Sequence, residues 1–169
     1  MAGLVLTDAS PLIGLARVDG LPWMSDLFGA VWWPAQVRLE VLTGQGLPGE
    51  AAIAAAETAG WLRLTEPAPA LPELPDLDEG EAACIRIALA HRARGAAGAP
   101  ALLLMDERAG RHIAAEHGLR VAGTAAVIGM AKARGIITSA RDVFGRLHAT
   151  DFRIAPEVIT TVLRRVGEV

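Results

Sequence analysis

The sequence is poor in cysteine and aromatic side chains and has no tyrosine. Its 169 residues contain one cysteine, Cys84, and aromatic residues make up 4%. A single thiol excludes an intramolecular disulfide framework and any zinc or iron–sulfur site built on several cysteines. The scarcity of rings argues against a broad aromatic platform for stacking nucleic-acid bases.

Long hydrophobic runs and an overall basic charge are also missing. No stretch approaches the roughly 20 apolar residues that a transmembrane helix needs. The apolar start over residues 1–6 has no basic flank and is soon interrupted by Asp8, unlike a signal peptide. The formal net charge of -3 excludes a generally basic nucleic-acid coat. We therefore expect a cytoplasmic protein without a membrane segment.

What is present is the composition of a folded chain, with 52% hydrophobic and 21% charged residues. Such a chain can bury a sizeable core, which excludes wholesale disorder. Its length predicts one domain over residues 1–169. Helices expected near 139–148 and 156–166 either pack on this domain or serve an oligomer contact.

Charge is distributed unevenly. Residues 1–85 hold 3 Lys/Arg and 12 Asp/Glu, a formal -9, whereas residues 86–169 hold 13 and 7, a formal +6. Two interpretations stay open: arginines on the solvated faces of alanine-rich helices, or an acidic metal pocket beside a basic substrate path.

Strands and helices alternate, and the strands are continuous apolar runs, which is typical of a parallel sheet covered on both faces. We predict an α/β fold whose first strand is central, with Ser10 as an N-cap and Pro11 at the first helical position. A proline-rich linker is expected over 66–76, and loops over 44–49 and 95–100. The predicted strands are 3–7, 31–33, 61–64, 101–105 and 119–122, and the remaining helices are 24–28, 34–42, 50–58, 79–92, 107–117 and 124–134.

Two predicted strands run directly into an aspartate, Asp8 and Asp106. Because the carboxyl ends of parallel strands meet at one edge of the sheet, both carboxylates should lie at that edge. Each also has a purely structural explanation. Asp8 would then form a local turn bond, and Asp106 would cap the helix starting at Glu107.

Two glutamates lie on helices that should face the same edge. Glu40 sits on or beside the inward face of its helix, where a carboxylate is costly without a cation or good donors; otherwise it is a rim residue reaching water. Glu81 shares an apolar face with Cys84, and Gly80 before it permits close backbone approach. Asp78-x-x-Glu81 equally resembles a capping box.

Four carboxylates in one pocket repel one another unless a divalent cation binds there. Oxygen-only ligands favour Mg²⁺ or Mn²⁺ over zinc. Such ions serve phosphoryl transfer and phosphodiester cleavage, since they acidify a water and stabilise the oxygens of an in-line displacement. Arg108 and Arg111 are weaker candidates for phosphate contacts, the alternative being surface ion pairs such as Glu107 with Arg111.

Together these segments resemble a PIN domain, the nuclease fold of VapC-type toxins, and in particular a prokaryotic branch of unknown function. The resemblance is carried, in order over residues 4–135, by Leu6-Thr7-Asp8-Ala9-Ser10-Pro11-Leu12-Ile13, Pro34 to Glu40, Leu77-Asp78-Glu79-Gly80-Glu81-Ala82, Leu104-Met105-Asp106-Glu107-Arg108-Ala109-Gly110-Arg111 and Val121-Ala122-Gly123-Thr124.

The resemblance implies a three-layer α/β/α fold with a five-stranded parallel sheet of order 3-2-1-4-5. It also implies a Mg²⁺- or Mn²⁺-dependent ribonuclease, commonly a homodimeric toxin with a cognate antitoxin. The four acidic positions of the family fall on Asp8, Glu40, Glu81 and Asp106, with Ser10 as a hydroxyl companion of the first. Because the third and fourth motifs depart from the usual pattern, Asp78, Glu79 or Glu107 is an alternative ligand.

The leading hypothesis is thus a metal-dependent endoribonuclease acting on RNA phosphodiesters. The alternative is a non-catalytic PIN-like module that binds an antitoxin or RNA, since those two motifs are non-standard. Another Mg²⁺ phosphohydrolase on a similar sheet ranks lower, because position 10 is serine rather than a second aspartate.

Overall fold

The sheet is built from five short parallel strands. The structure is a computed structural model that describes residues 3–95 and 100–169; part of the predicted 95–100 loop lies outside this range. The strands are β1 (Val5–Thr7), β2 (Val31–Trp33), β3 (Leu62–Leu64), β4 (Leu102–Leu104) and β5 (Arg120–Ala122). Their order is β3-β2-β1-β4-β5, all parallel, so the predicted order and the central first strand are confirmed.

Helices cover both faces of the sheet, giving the predicted α/β/α layers. The helices are α1 (Ala9–Ala16), α2 (Leu21–Phe28), α3 (Ala35–Val41), α4 (Glu50–Ala59), α5 (Glu79–Ala93), α6 (Arg108–Glu116), α7 (Thr124–Ala133), α8 (Ala140–His148) and α9 (Pro156–Arg165). In residues 3–95 and 100–169, no helix combines the length and apolar character needed to cross a membrane.

The core lies where the strands meet these helices. Leu6, Leu103 and Leu104 are fully buried in the two central strands, and Ile85 of α5 and Ile128 of α7 are fully buried as well. Burying each such side chain favours folding by about 1.5–3 kcal/mol. The C-terminal helix α9 contacts α7 and α8 and buries Val162 and Leu163. It therefore adds to the core, while the single domain over 1–169 stays a prediction.

The prediction for the first helix was wrong in detail. Asp8, not Ser10, occupies the N-cap position of α1, and no side chain caps the helix. Ser10 and Pro11 are instead the second and third residues of the first turn. Proline is tolerated there because the first helical N–H groups have no intrahelical partner to lose. Ser10 therefore does not cap the helix, and its side chain is half-buried.

Candidate metal centre

Asp8 is placed by the hydrogen bonding of the two central strands. It follows β1 directly, and its main-chain N–H donates to the carbonyl of Leu104 at the end of β4 (2.9 Å). The residue is 3% exposed, and its Oδ1 is buried without a hydrogen-bond partner in the described structure. An unpaired buried carboxylate oxygen is costly, so Asp8 is a strong indication that a cation belongs at this edge.

Asp78 and Glu81 form the capping box predicted for α5. The Glu81 N–H donates to Asp78 Oδ1 (2.8 Å), and the Asp78 N–H donates to Glu81 Oε2 (3.2 Å). Each carboxylate thus uses one oxygen for the cap. Glu81 is 4% exposed, and its Oε1 is buried and unpaired in the described chain. Capping and participation in an acidic site are therefore compatible.

Two glycines allow the helices to approach these carboxylates. A Cβ at Gly80 would lie 3.2 Å from Asp8 Oδ1 and 3.0 Å from Val37, so the close approach predicted there is confirmed. A Cβ at Gly110 on α6 would lie 3.1 Å from Glu81 Oε1 and 2.6 Å from the sulfur of Met105. The side chains of Asp8 and Glu81, which we call the acidic pocket together with the neighbouring carboxylates, are therefore packed closely against α5 and α6.

Glu40 reaches the pocket from the last turn of α3. Helix α3 is held by buried Val37 and Val41 and by Arg38, which donates two hydrogen bonds to Glu57 of α4 (2.7 and 2.9 Å). Glu40 is an exposed residue, as the rim interpretation expected. It nevertheless belongs to the acidic group.

The three carboxylates that come together are Asp8, Glu40 and Asp78. Each offers an oxygen within 4.8 Å of an oxygen of the other two; we call this group the acidic cluster. Asp78 is exposed and had been predicted only as an alternative ligand. The sequence feature that could have predicted this position is the Asp78-x-x-Glu81 pattern, which places Asp78 at the N-cap of the helix that carries Glu81.

When no cation is bound, the surroundings of Asp8 favour the protonated form of its carboxyl group. Burial raises the pKa of Asp8 from 3.8 to about 7, opposed by a hydrogen bond from the Ala9 N–H. The negative charges of Asp78, Glu81 and Glu40 raise the pKa of Asp8 further. Desolvation also raises the pKa of Glu81 and Glu40, with added repulsion from Asp78. A divalent cation would relieve this repulsion.

The hydrogen bonds of Asp106 differ from those that the sequence led us to expect. Its Oδ1 accepts the main-chain N–H of Thr124 (2.8 Å), and its Oδ2 accepts the Thr124 hydroxyl (2.7 Å). The idea that Asp106 caps α6 is wrong, since Glu107 holds that N-cap position. The carboxylate instead caps α7, whose own N-cap, Gly123, has no side chain. Asp106 does not belong to the acidic cluster.

The two arginines after Asp106 lie on α6. Arg108 is exposed, whereas Arg111 donates from Nη1 to the carbonyl of Met105 (3.0 Å). The ion pair suggested between Glu107 and Arg111 does not form among the described residues, because Arg111 turns back toward the end of β4. Both arginines line a groove beside Asp106.

The family comparison agrees with this architecture. The five-stranded parallel sheet carries, at its carboxyl edge, a cluster of buried and exposed carboxylates that could hold a metal ion. A PIN-domain family model matches residues 4–168, nearly the whole chain, whereas no curated protein matches. The chain therefore belongs to the PIN-domain family. The PIN domain is a nuclease fold that generally uses a divalent metal and binds RNA.

Proposed function

We propose that this protein is a Mg²⁺- or Mn²⁺-dependent endoribonuclease. The observation that carries the proposal is Asp8, whose Oδ1 is buried and unpaired and which offers a carboxylate oxygen within 4.8 Å of an oxygen of Glu40 and of Asp78. This donor set is all oxygen, as hard divalent cations prefer. Asp8, Glu40 and Asp78 would hold the ion, which supplies positive charge to the scissile phosphate and acidifies the attacking water.

The other predicted site residues have distinct proposed roles. Glu81 keeps one oxygen unpaired beside the acidic cluster, so it is suited to hydrogen-bond the attacking water or to join the ligand set. Asp106 is suited to hold α7 in place at the pocket edge. Ser10 follows Asp8 by two residues and is half-buried, which supports a polar contact to the first carboxylate. Arg108 and Arg111 would contact the RNA backbone.

Cleavage of RNA in the presence of Mg²⁺ or Mn²⁺ tests the proposal. The intact protein should cleave, chelation should abolish cleavage, and Asp8→Asn should lower the rate by about a hundredfold or more, because it removes the buried charge that faces the cation. Asp26→Asn, an exposed carboxylate on α2, is the matched control and should cleave normally. Equal cleavage by both variants would contradict the proposal.

A toxin role is the finer form of this proposal, and the resemblance to VapC-type toxins supports it. A toxin would act in the cytoplasm, pair with a small antitoxin, and often form a homodimer. Co-expression with the product of a neighbouring small reading frame should give a stable complex that suppresses cleavage. Light scattering on the isolated chain should give twice the 17.7 kDa monomer mass. A monomer that cleaves RNA and binds no such product would contradict the toxin assignment.

A non-catalytic binding module is the second candidate. The observation that favours it is Asp106, whose two oxygens are both taken by Thr124, which leaves fewer carboxylates free for catalysis. Calorimetric titration with Mn²⁺ separates the two functions. A nuclease should bind Mn²⁺ through Asp8, whereas a binding module should show little affinity and no change in Asp8→Asn.

A further inference from the structure

A groove of about 920 Å³ lies beside Asp106, between α6, α7 and α9. Its apolar lining residues include Ala125 and Ala126 of α7 with Val158 and Val162 of α9. Its walls carry four arginines from three segments of the basic half of the chain. These are Arg108 and Arg111 on α6, Arg153 before α9, and Arg165 at the end of α9.

The four arginines are of two kinds. Arg111 and Arg153 are braced by main-chain carbonyls, Arg111 on Met105 (3.0 Å) and Arg153 on His148 (3.1 Å) and Phe152 (3.2 Å). Arg108 and Arg165 are exposed and make no side-chain hydrogen bond or ion pair within the described ranges. The braced pair holds a fixed geometry, and the free pair can adjust to a ligand.

Positive charge dominates the groove. Two carboxylates, Asp106 and Glu157, lie in its wall, and Asp106 already accepts two hydrogen bonds from Thr124. His112 also lines the groove and lies 3.1 Å from Glu116 on the same helix. Four guanidinium groups therefore share the groove with two carboxylates, a formal charge of 4 - 2 = +2, and the Glu157 carboxylate has no hydrogen-bonded partner in residues 3–95 and 100–169.

We propose that this groove binds the sugar–phosphate backbone of a single RNA strand, and that Arg153 and Arg165 provide its second wall. Guanidinium groups pair with phosphates through two parallel hydrogen bonds. Among the described residues no Phe, Tyr or Trp ring lines the groove, and His112 supplies its one imidazole, so contacts to phosphates, which carry no sequence information, would dominate recognition. The volume is that of a small-ligand pocket, which admits a short stretch of one strand rather than a duplex.

Helix α6 connects this groove to the acidic pocket. Its Gly110 packs against Glu81 Oε1, while Arg108 and Arg111 on the same helix line the groove. A strand held by the arginines would thus run past Asp106 toward the acidic cluster. The inference rests on the proposed function, because it takes RNA as the ligand. It adds that the C-terminal segment belongs to the RNA-binding surface.

Binding of RNA to a variant with strongly reduced cleavage tests the groove. The Asp8→Asn chain is titrated into a short fluorescein-labelled oligouridylate, with Mg²⁺ present, and followed by anisotropy. Arg165→Ala should weaken binding about three- to tenfold and reduce the slope of log affinity against log salt by about 0.7, as expected for one lost phosphate contact to a single strand. Adding Arg108→Ala should weaken binding again.

Arg164→Ala is the matched control, since Arg164 precedes Arg165 on the same helix, is exposed and does not line the groove. It should change affinity less than twofold. Equal affinities of the Arg164→Ala and Arg165→Ala variants would overturn the proposal. A larger loss of binding to polyglutamate than to RNA in Arg165→Ala would overturn it in favour of an acidic protein partner. RNA binding without any cleavage by the unmutated chain would refute the nuclease function and leave the groove standing.

Discussion

The carboxylate of Asp106 holds the first residue of α7, Thr124, with both of its oxygens (2.8 and 2.7 Å). The N-cap of this helix is Gly123, which offers no side chain, and a Cβ there would lie 2.7 Å from Asp106 Oδ1. From the end of the neighbouring strand, Asp106 therefore supplies the hydrogen-bond acceptor that the side chain of an N-cap residue normally provides to its own helix. This carboxylate, expected from the sequence to bind metal, has a structural task visible in its hydrogen bonds.

Removing this interaction should destabilise the fold. Asp106→Ala leaves the Thr124 N–H and hydroxyl without their acceptor, so we expect the free energy of unfolding to fall by about 1–3 kcal/mol. Asp106→Asn keeps one acceptor oxygen for the N–H and should lose less. Urea denaturation measures both. Unchanged stability in Asp106→Ala would show that the two hydrogen bonds contribute nothing.

Asp78 should bind metal directly, and Asp78→Asn isolates that role. Asparagine is as good an N-cap as aspartate, so the capping hydrogen bond from Glu81 N–H is retained while the charge is lost. We expect Mn²⁺ affinity to fall on the order of tenfold or more, since even groups one step removed from a metal are worth 10- to 100-fold. Calorimetry provides the measurement.

Glu79→Gln is the control for this variant. Glu79 is the next residue, is exposed, and lies in the first turn of α5, but it is not part of the acidic cluster. Its Mn²⁺ affinity should stay within about twofold of the unmutated value, because charges screened by water contribute little. A loss of affinity in Glu79→Gln as large as in Asp78→Asn would indicate a general charge effect instead of ligation.

Asp8 should contribute a loss of stability to the metal-free protein as the pH rises. Burial raises the pKa of Asp8 from 3.8 in the unfolded chain to about 7, so the folded protein binds this proton more tightly. Its contribution is therefore fully present below pH 3.8 and lost as the pH passes 7. At 1.36 kcal/mol per pKa unit, the full loss is up to about 4 kcal/mol.

The contribution of Asp8 is measured by comparing how the free energy of unfolding depends on pH in Asp8→Asn and in the unmutated protein. Asparagine does not titrate, so Asp8→Asn should gain in stability relative to the unmutated protein between pH 4 and pH 7. Glu50, whose pKa is lowered mainly by the Gly44 N–H, acts in the opposite direction but is common to both proteins. Parallel profiles for the two proteins would refute a raised pKa at Asp8. Saturating Mn²⁺ should offset the repulsion between ionised Asp8 and its neighbouring carboxylates. It should therefore remove the part of the stability difference between the two proteins that this repulsion causes.

Gly110→Ala should disturb the pocket through packing alone. Its Cβ would lie 2.6 Å from the Met105 sulfur and 3.1 Å from Glu81 Oε1, so Glu81 or α6 must move. We expect a loss of about 1–3 kcal/mol in unfolding free energy and weaker Mn²⁺ binding. Gly145→Ala, in the interior of α8 with no atom near its Cβ, should instead gain up to about 1 kcal/mol. Similar effects of both substitutions would contradict this reading of the packing.

Much of the fold and part of the site follow from local sequence. Apolar runs ending in Asp8 and Asp106 predicted where two strands stop, and the Asp78-x-x-Glu81 pattern predicted the capping box. The close approach at Gly80 followed from its lack of a side chain. These features depend on a few neighbouring residues, so spacing alone is sufficient to predict them.

The partners of each carboxylate could not be predicted in the same way. The Asp106–Thr124 contact exists because β4 and β5 pair with Leu104 opposite Ala122, which places Gly123-Thr124 beside Asp106. The Gly-Thr pair after the fifth strand was a usable signal, but it gained meaning only once the register was known. The membership of Asp78 in the acidic cluster likewise depends on how α3 and α5 pack.

Cys84 lies fully buried under the pocket, with its Sγ 3.5 Å from the carbonyl of Thr7. Because it is the sole thiol of the chain, and burial raises its pKa well above the ordinary value, a thiol-specific reagent can label the protein only when α5 separates from β1. The rate of Cys84 labelling therefore measures how often α5 separates from β1 beneath the acidic cluster, and the measurement needs no engineered probe.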